Sequence, residues 1–399
     1  MGARLKTIST ALAGLGALVL LATPANPLDA QNVATVLPSE LPAPVPPEIP
    51  VALLVDLSSG QTLFSREPDR RFVPASVTKV MTAYTAFKLI EAGELSLETP
   101  VTVSKEVAEL WSGEGSSMFL KAGDRVTVGE LLLGVTTVSA NDASVVIALT
   151  AAGTQAKWLD LMNQNAAELG MRDTHFGTPN GWPDEGRTYT SARDLVVLAE
   201  AMTTRFPELY RRFIGHRGMT YGNITQSNHD PITGVVDGAD GMKTGYTREA
   251  GYNFLGSAER GGRRLVMVLA GAPSASIRNN AARAFMRWGF DAFESRKILP
   301  AAATVGTARV QNGAQAVVSL LTDDEVLASV PPGSPSAVTL SVRYRGPIEA
   351  PISKGQRIAS LRVAIDGQTP HDVPLIAAEA VEEANAFQRL LNGLRGLVT

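Results

Sequence analysis

The order in which hydrophobic patterns succeed one another constrains this chain most. VALLVDLSSGQTLFS, beginning at Val51, reads as two strands around a Ser-Ser-Gly turn. Helical patterns then take over. One runs from about Ser76 to Ala92, with Pro74 just before it and Gly93 as its stop. A mixed segment follows to about Gly129. ELLLGVTTVSANDASVVIALTAAG is a pair of helices broken at Ser139-Ala140-Asn141, and further helices are expected over about Gln155 to Gly170 and Ala192 to Arg205. Beyond Asp237 strands return as GMKTGYT, YNFLGSAE and RRLVMVLAG. Arg260-Gly261-Gly262 is a hairpin signal between the last two, and a helix over about Ser276 to Phe293 closes the region. Strands on either side of a helical block predict an α+β fold: an antiparallel sheet flanked by helices, with a helical subdomain inserted.

The pattern changes again near Ile298. TARVQNG, AVVSLL, AVTLSVRYRG and RIASLRVAIDG are short strand-like runs separated by turns. They predict a small all-β, sandwich-like domain over residues 296–376, after a first domain over 49–295. In the tail, residues 377–399, Val381, Ala384, Phe387, Leu391, Leu394 and Val398 fall on one helical face. Such an amphipathic helix suits either a membrane interface or a seat on the β domain.

At the other end, Arg4 and Lys6 precede an apolar run from about Ala11 to Ala22, and small residues lead to Ala30. This is the three-part pattern of a signal peptide over residues 1–30. As a permanent anchor the run is short, since a spanning helix needs about 20 apolar residues. Residues 31–48, rich in proline, read as an extended spacer.

The net charge of −3 gives no electrostatic case for a nucleic-acid partner, and the absence of cysteine removes disulfide and thiolate chemistry. The four histidines, His175, His216, His229 and His371, sit in no nucleophile-elbow or metal-binding spacing, so a metal site has no sequence support. A serine nucleophile in this chain therefore needs a base other than histidine.

PASVTK, residues 74–79, supplies one. Ser76 and Lys79 are three apart at the start of an apolar helix, hence on one face. A lysine among apolar residues loses hydration, which favours its neutral, basic form. The helix N-terminus also offers N–H groups to an oxyanion. Taken alone, Ser-x-x-Lys is equally an N-cap serine and a surface lysine. Ser139-Ala140-Asn141 alone is a helix junction, and Lys243-Thr244-Gly245 alone is a strand with a glycine that permits close approach. Together, in this order, SVTK, SAN and KTG form the triple signature of serine enzymes that react with penicillin.

On these motifs, and on SSMFLKAGDRVTVGELL, SANDAS, AAELGMRDTHF, TSARDL, VDGADGMKTGYT and PISKGQRIASLRV, the chain resembles the D-alanyl-D-alanine carboxypeptidases among the low-molecular-mass penicillin-binding proteins, from about Ile49 to its C-terminus. The resemblance implies a β-lactamase/transpeptidase-like domain followed by a small β domain and a C-terminal amphipathic helix. It implies no metal and no cofactor. It further implies a peptidoglycan stem peptide ending in D-Ala-D-Ala as substrate, β-lactam antibiotics as inhibitors, and a place in the periplasm, peripheral on the cytoplasmic membrane. Ser76 is then the nucleophile and Lys79 its base. Ser139, helped by Lys243, passes a proton to the leaving D-alanine. Asn141 binds the peptide backbone, the N–H groups of Ser76 and Tyr246 form the oxyanion hole, and Thr244 in the Lys243-Thr244-Gly245 strand holds the terminal carboxylate.

One feature departs from the family. An arginine about fifteen residues before the KTG motif is replaced by the stretch SNHDPITG, leaving His229 near that place and Arg248 after the motif as substitutes. Trp182 either overhangs the cleft or packs its loop. Two other readings are weaker. A class A β-lactamase needs a Glu-x-x-x-Asn element that is absent between Asn141 and Lys243, and an inert wall-binding protein has no need of intact Ser76, Lys79, Ser139 and Lys243.

Overall fold

The computed structural model describes residues 42–333 and 336–385 and, upstream, the strands Thr7–Ala13 and Ala17–Thr23. These two strands pair with each other, and the first pairs with Val338–Arg343. Cleavage after Ala30 would remove both and leave Val338–Arg343 at a sheet edge. The remainder of residues 1–41 lies outside the described residues.

The chain forms two compact units. One holds residues 43–57 and 63–291, and the other holds the two upstream strands, 58–62 and the described residues from 292 on. In the first, a five-stranded sheet has the order Gln61–Arg66, Val51–Asp56, Arg263–Ala272, Gly251–Arg260, Ala239–Thr247. Val51–Asp56 is buried along its whole length, as its unbroken apolar run requires when both faces are covered. The helix Ala275–Asp291 covers one part of the sheet at close range: a Cβ on Gly289 would come within 2.6 Å of Leu54 and 2.8 Å of Leu265. The helix Ala192–Arg205 also packs on Val51–Asp56 and Arg263–Ala272.

Lys79–Glu91 is the central helix of the helical subdomain. Every residue from Lys79 to Phe87 is buried, because the helix is apolar around most of its circumference and is surrounded by Val128–Thr137, Asn141–Ala152 and Gln155–Glu168. Ser76 itself precedes it, in a 3-10 turn over Ala75–Thr78, so the α-helix starts three residues later than the sequence pattern indicates. The break expected at Ser139-Ala140-Asn141 is present between two helices. Ser139 has φ +64°, a left-handed conformation that a non-glycine residue adopts at a cost. It is held there by neighbouring bonds: Ala140 N donates to Gly134 O (3.1 Å) and Asn141 N to Ser116 O (2.8 Å).

The second unit is all β. Its sheet runs Ile348–Glu349, Thr304–Gln311, Val317–Thr322, His371–Ala377, Arg357–Ile365, Val338–Arg343, with Glu294–Leu299 and Val326–Val330 paired separately. Alternate residues such as Val338, Leu340 and Val342, or Leu361, Val363 and Ile365, enter one core, as the two-residue period of a strand dictates. The amphipathic helix expected from residue 377 is not what the described residues form. The chain stays extended to Asn385: Val381 and Ile352 exchange two backbone hydrogen bonds of 2.8 Å, and Gly313 bridges to Glu383. Val381 and Ala384 are buried in this unit, so the apolar spacing that suits a helix face here serves an extended segment with ladder partners. Residues 386–399 of the expected helix lie outside the described residues.

Candidate active site

The edge strand Ala239–Thr247, the 3-10 turn and the helix junction at Ser139 converge on a cleft of about 870 Å³. Ser76, Ser139, Asn141 and Thr244 line it, as do Gly245, Tyr246, His229 and Arg248. Lys79 and Lys243 are buried behind that lining.

Lys79 is 1% exposed, and its Nζ lies 2.9 Å from Ser76 Oγ, 2.8 Å from Asn141 Oδ1 and 2.6 Å from Asn180 O. Burial holds this amine well below the usual lysine range, the charge of Lys243 lowers it further, and Asp142 opposes both. The Asp142 carboxylate, itself fully buried, accepts from Ser117 Oγ and from the N–H groups of Met118, Leu120 and Ala143. It thereby fastens segment 117–120 to the start of the helix that carries Asn141. Asn141 Nδ2 donates to Glu114 O (2.9 Å), which fixes the amide with its oxygen toward Lys79.

Lys243 Nζ donates to Thr244 O (3.0 Å), and burial, reinforced by Arg278 and opposed by Asp230, brings its pKa down to about 7. Ser139 Oγ is buried with no hydrogen-bond partner, on the lining of the cleft. Gly245 explains the third motif physically. A Cβ there would stand 2.4 Å from Pro74 O and 3.2 Å from Ser76 N, so only glycine lets the strand lie against the backbone of Ser76. Asn253 Nδ2 donates to Val73 O (2.9 Å) and its Oδ1 accepts from Gly271 N, which ties the same sheet to the segment entering Ser76.

His229 is exposed on the cleft lining, and partial loss of hydration there, then the charges of Lys243 and Arg278, lower its pKa. Arg248 is exposed at the rim. The structure adds a cation that sequence reading missed: Arg278, buried on the helix Ala275–Asp291, lines the cleft and donates to Asn253 O (3.3 Å) and Asn279 Oδ1 (2.9 Å). Burial lowers even this guanidinium, to about 10, against the opposing charge of Asp230. No local motif marks it, since its place depends on which helix face meets the strand. Asn180 was likewise unmarked, within a loop whose Gly181 leaves no room for a Cβ beside Ala75 O.

A buried lysine on a serine, a second lysine tuned to near neutrality and a glycine-backed edge strand are the parts of a serine acyl-transfer site. Residues 45–274 match the family profile described as D-alanyl-D-alanine carboxypeptidase, and residues 293–383 match that of the C-terminal domain of penicillin-binding protein 5. The chain belongs to the D-alanyl-D-alanine carboxypeptidase family. It is 36% identical to D-alanyl-D-alanine carboxypeptidase DacD of Escherichia coli (strain K12) over 87% of this chain and 91% of that one. It superposes on penicillin-binding protein 5 from Haemophilus influenzae with a TM-score of 0.72 at 30% identity, covering 87% of this chain and all of the other (100%). It also resembles penicillin-binding protein D2 from Listeria monocytogenes, solved in an ampicillin-bound form, with a TM-score of 0.55 and 27% identity over 61% of this chain and 98% of that one. A carboxypeptidase of this family is a serine-type hydrolase of peptidoglycan, and this chain is one.

Proposed function

We propose that Ser76 is the nucleophile of this carboxypeptidase, acylated by the penultimate D-alanine of a peptidoglycan stem peptide, with Lys79 as its base. The observation that supports this most is the set of three contacts at Lys79 Nζ. A neutral amine has two N–H donors and one lone pair. Asn141 Oδ1 and Asn180 O take the two donors, which leaves the lone pair for the hydroxyl proton of Ser76. Desolvation favours the neutral state.

Ser76 attacks the carbonyl carbon, its proton passes to Lys79, and the oxyanion forms between the N–H groups of Ser76 and Tyr246. The Ser139 hydroxyl, free of other partners, relays a proton to the leaving amine, with Lys243 supplying positive charge beside it. Water then enters the acyl carbon and releases the shortened peptide. Thr244, Lys243 and the buried Arg278 hold the terminal carboxylate. The burial of Arg278 favours it over exposed Arg248, and His229 adds a weaker, mostly neutral contact. Asn141 and the free edge of Ala239–Thr247 receive the peptide backbone. A β-lactam follows the same route and acylates Ser76, in keeping with the ampicillin-bound relative.

The N-terminal signal-peptide pattern supports export of this chemistry to the periplasm. No described helix is long and apolar enough to cross a membrane, and contact with the membrane surface is assigned to the apolar residues beyond Asn385. The test is fluorescent penicillin on wild type and Ser76→Ala, with D-alanine release from a pentapeptide measured alongside. Labelling and release in wild type only are expected. Labelling of both proteins refutes the nucleophile.

A further inference from the structure

The loop carrying Trp182 is locked at its base and open at its tip. Asn180 O accepts from Lys79, Gly181 lies beneath Ala75 O, and Trp182 N donates to Asn180 Oδ1 (3.0 Å). Asp184 closes the loop from the far side, accepting from Thr188 N and Thr188 Oγ1. The indole does not finish in a core. It is 38% exposed, lines the cleft, and meets the half-buried Trp111 edge to face at 5.5 Å and 86°. An indole that served only to pack its loop would be covered.

Its neighbours say which half of a substrate it faces. A Cβ on Gly115 would come within 3.0 Å of Asn141 Nδ2 and 3.2 Å of Trp182 Cζ3, so the indole shares a wall with the amide that touches Lys79. That wall, Gly115, Ser116, Trp182 and Pro183, carries no charge. The cations Lys243, Arg278 and Arg283 belong instead to the strand Ala239–Thr247 and the helix Ala275–Asp291. The anionic leaving half of the substrate therefore goes to one side, and the indole is left to the acyl half.

Resting on the acyl-enzyme reading above, we propose that Trp182, braced by Trp111, is a specificity-determining residue that receives an apolar group on the acyl side of the donor. Covering an exposed aromatic face gains both area burial and, for an aromatic partner, ring contact, together worth roughly a factor of 5–20 in acylation efficiency. The probes are benzylpenicillin, which carries an aromatic acyl-side substituent, and 6-aminopenicillanic acid, which has none. Trp182→Ala is expected to lower the ratio of their acylation efficiencies about 5- to 20-fold, Trp182→Phe to restore it to within about threefold, and Trp111→Ala to lower it by an intermediate factor. Equal losses for both probes would show that Trp182 only shapes the loop, and an unchanged ratio would show that the indole touches nothing; either overturns the proposal. Failure of wild type to be acylated by either probe would instead sink the Ser76 reading, so the two failures are distinct.

Discussion

Gly245→Ala tests whether the approach of the edge strand to Ser76 builds the site. Gly245 is not in the left-handed region, so the added methyl acts through contact alone. Its Cβ would lie 2.4 Å from Pro74 O, 3.2 Å from Ser76 N and 3.2 Å from Val77 Cγ2, whereas ordinary contact begins near 3.4 Å. Relieving the first contact demands a separation of roughly 1 Å, because two backbone atoms close to van der Waals repulsion cannot rotate away as a side chain does. Ala239–Thr247 is an edge strand and has room to yield outward. The displacement carries Tyr246 N away from Ser76 N, which opens the oxyanion site proposed for these two N–H groups. A misplacement of that size costs about 10²-fold, and loss of one oxyanion donor about 10²–10³-fold. Overpacking costs roughly 1–3 kcal/mol of stability, or about 2–10 °C in melting temperature for a domain of this size. The variant should therefore remain folded while benzylpenicillin acylation, followed by competition with a fluorescent penicillin, and D-alanine release, followed by coupled oxidation, both fall about 100-fold or more. An acylation rate within threefold of wild type in a protein that melts normally would refute the reasoning.

Lys243 and Arg278 yield two further expectations. The folded pKa of Lys243, about 7, is depressed from 10.5, so the unfolded chain binds the extra proton and the cost of burying this cation is largest below about pH 7 and fades as pH rises toward 10.5. Lys243→Met should thus melt higher than wild type at pH 6, with the gap narrowing by pH 9; a pH-independent gap in calorimetry would contradict the assignment. Arg278→Gln should lower pentapeptide kcat/KM by about 10- to 100-fold through the lost charged contact to the carboxylate. It should also move the alkaline limb of the pH–rate profile upward, since Arg278 is the second cause, after burial, of the low Lys243 pKa. A limb that stays in place would break the link between the two cations.

The parts of the site that were legible in the sequence are those whose chemistry is local. Ser76 and Lys79 are one helical turn apart, Ser139 and Asn141 occupy a break between two apolar patterns, and Gly245 interrupts a strand where a side chain would collide. Each carries its reason within a few residues. Arg278 was not legible because its reason is 35 residues from Lys243 along the chain and across a sheet: an arginine in an amphipathic helix reads as a solvated charge until the helix is seen to turn it toward the cleft. Asn180 contributes a backbone oxygen, which no side-chain pattern can reveal. Val381 and Ala384 failed in the opposite way. Two apolar residues three apart satisfy a helix stripe, and they equally satisfy an extended segment whose hydrogen bonds go to Ile352 and Asn312. Where a partner strand lies within reach, the ladder decides, and periodicity over so few residues has no power against it. The same physics explains the tuning of the Lys79 amine. Lys79 sits at an apolar position of its helix, as the pattern showed, yet its basicity depends as well on the second buried cation at Lys243, brought near by the sheet, and on Asp142, which reaches segment 117–120 through three hydrogen bonds.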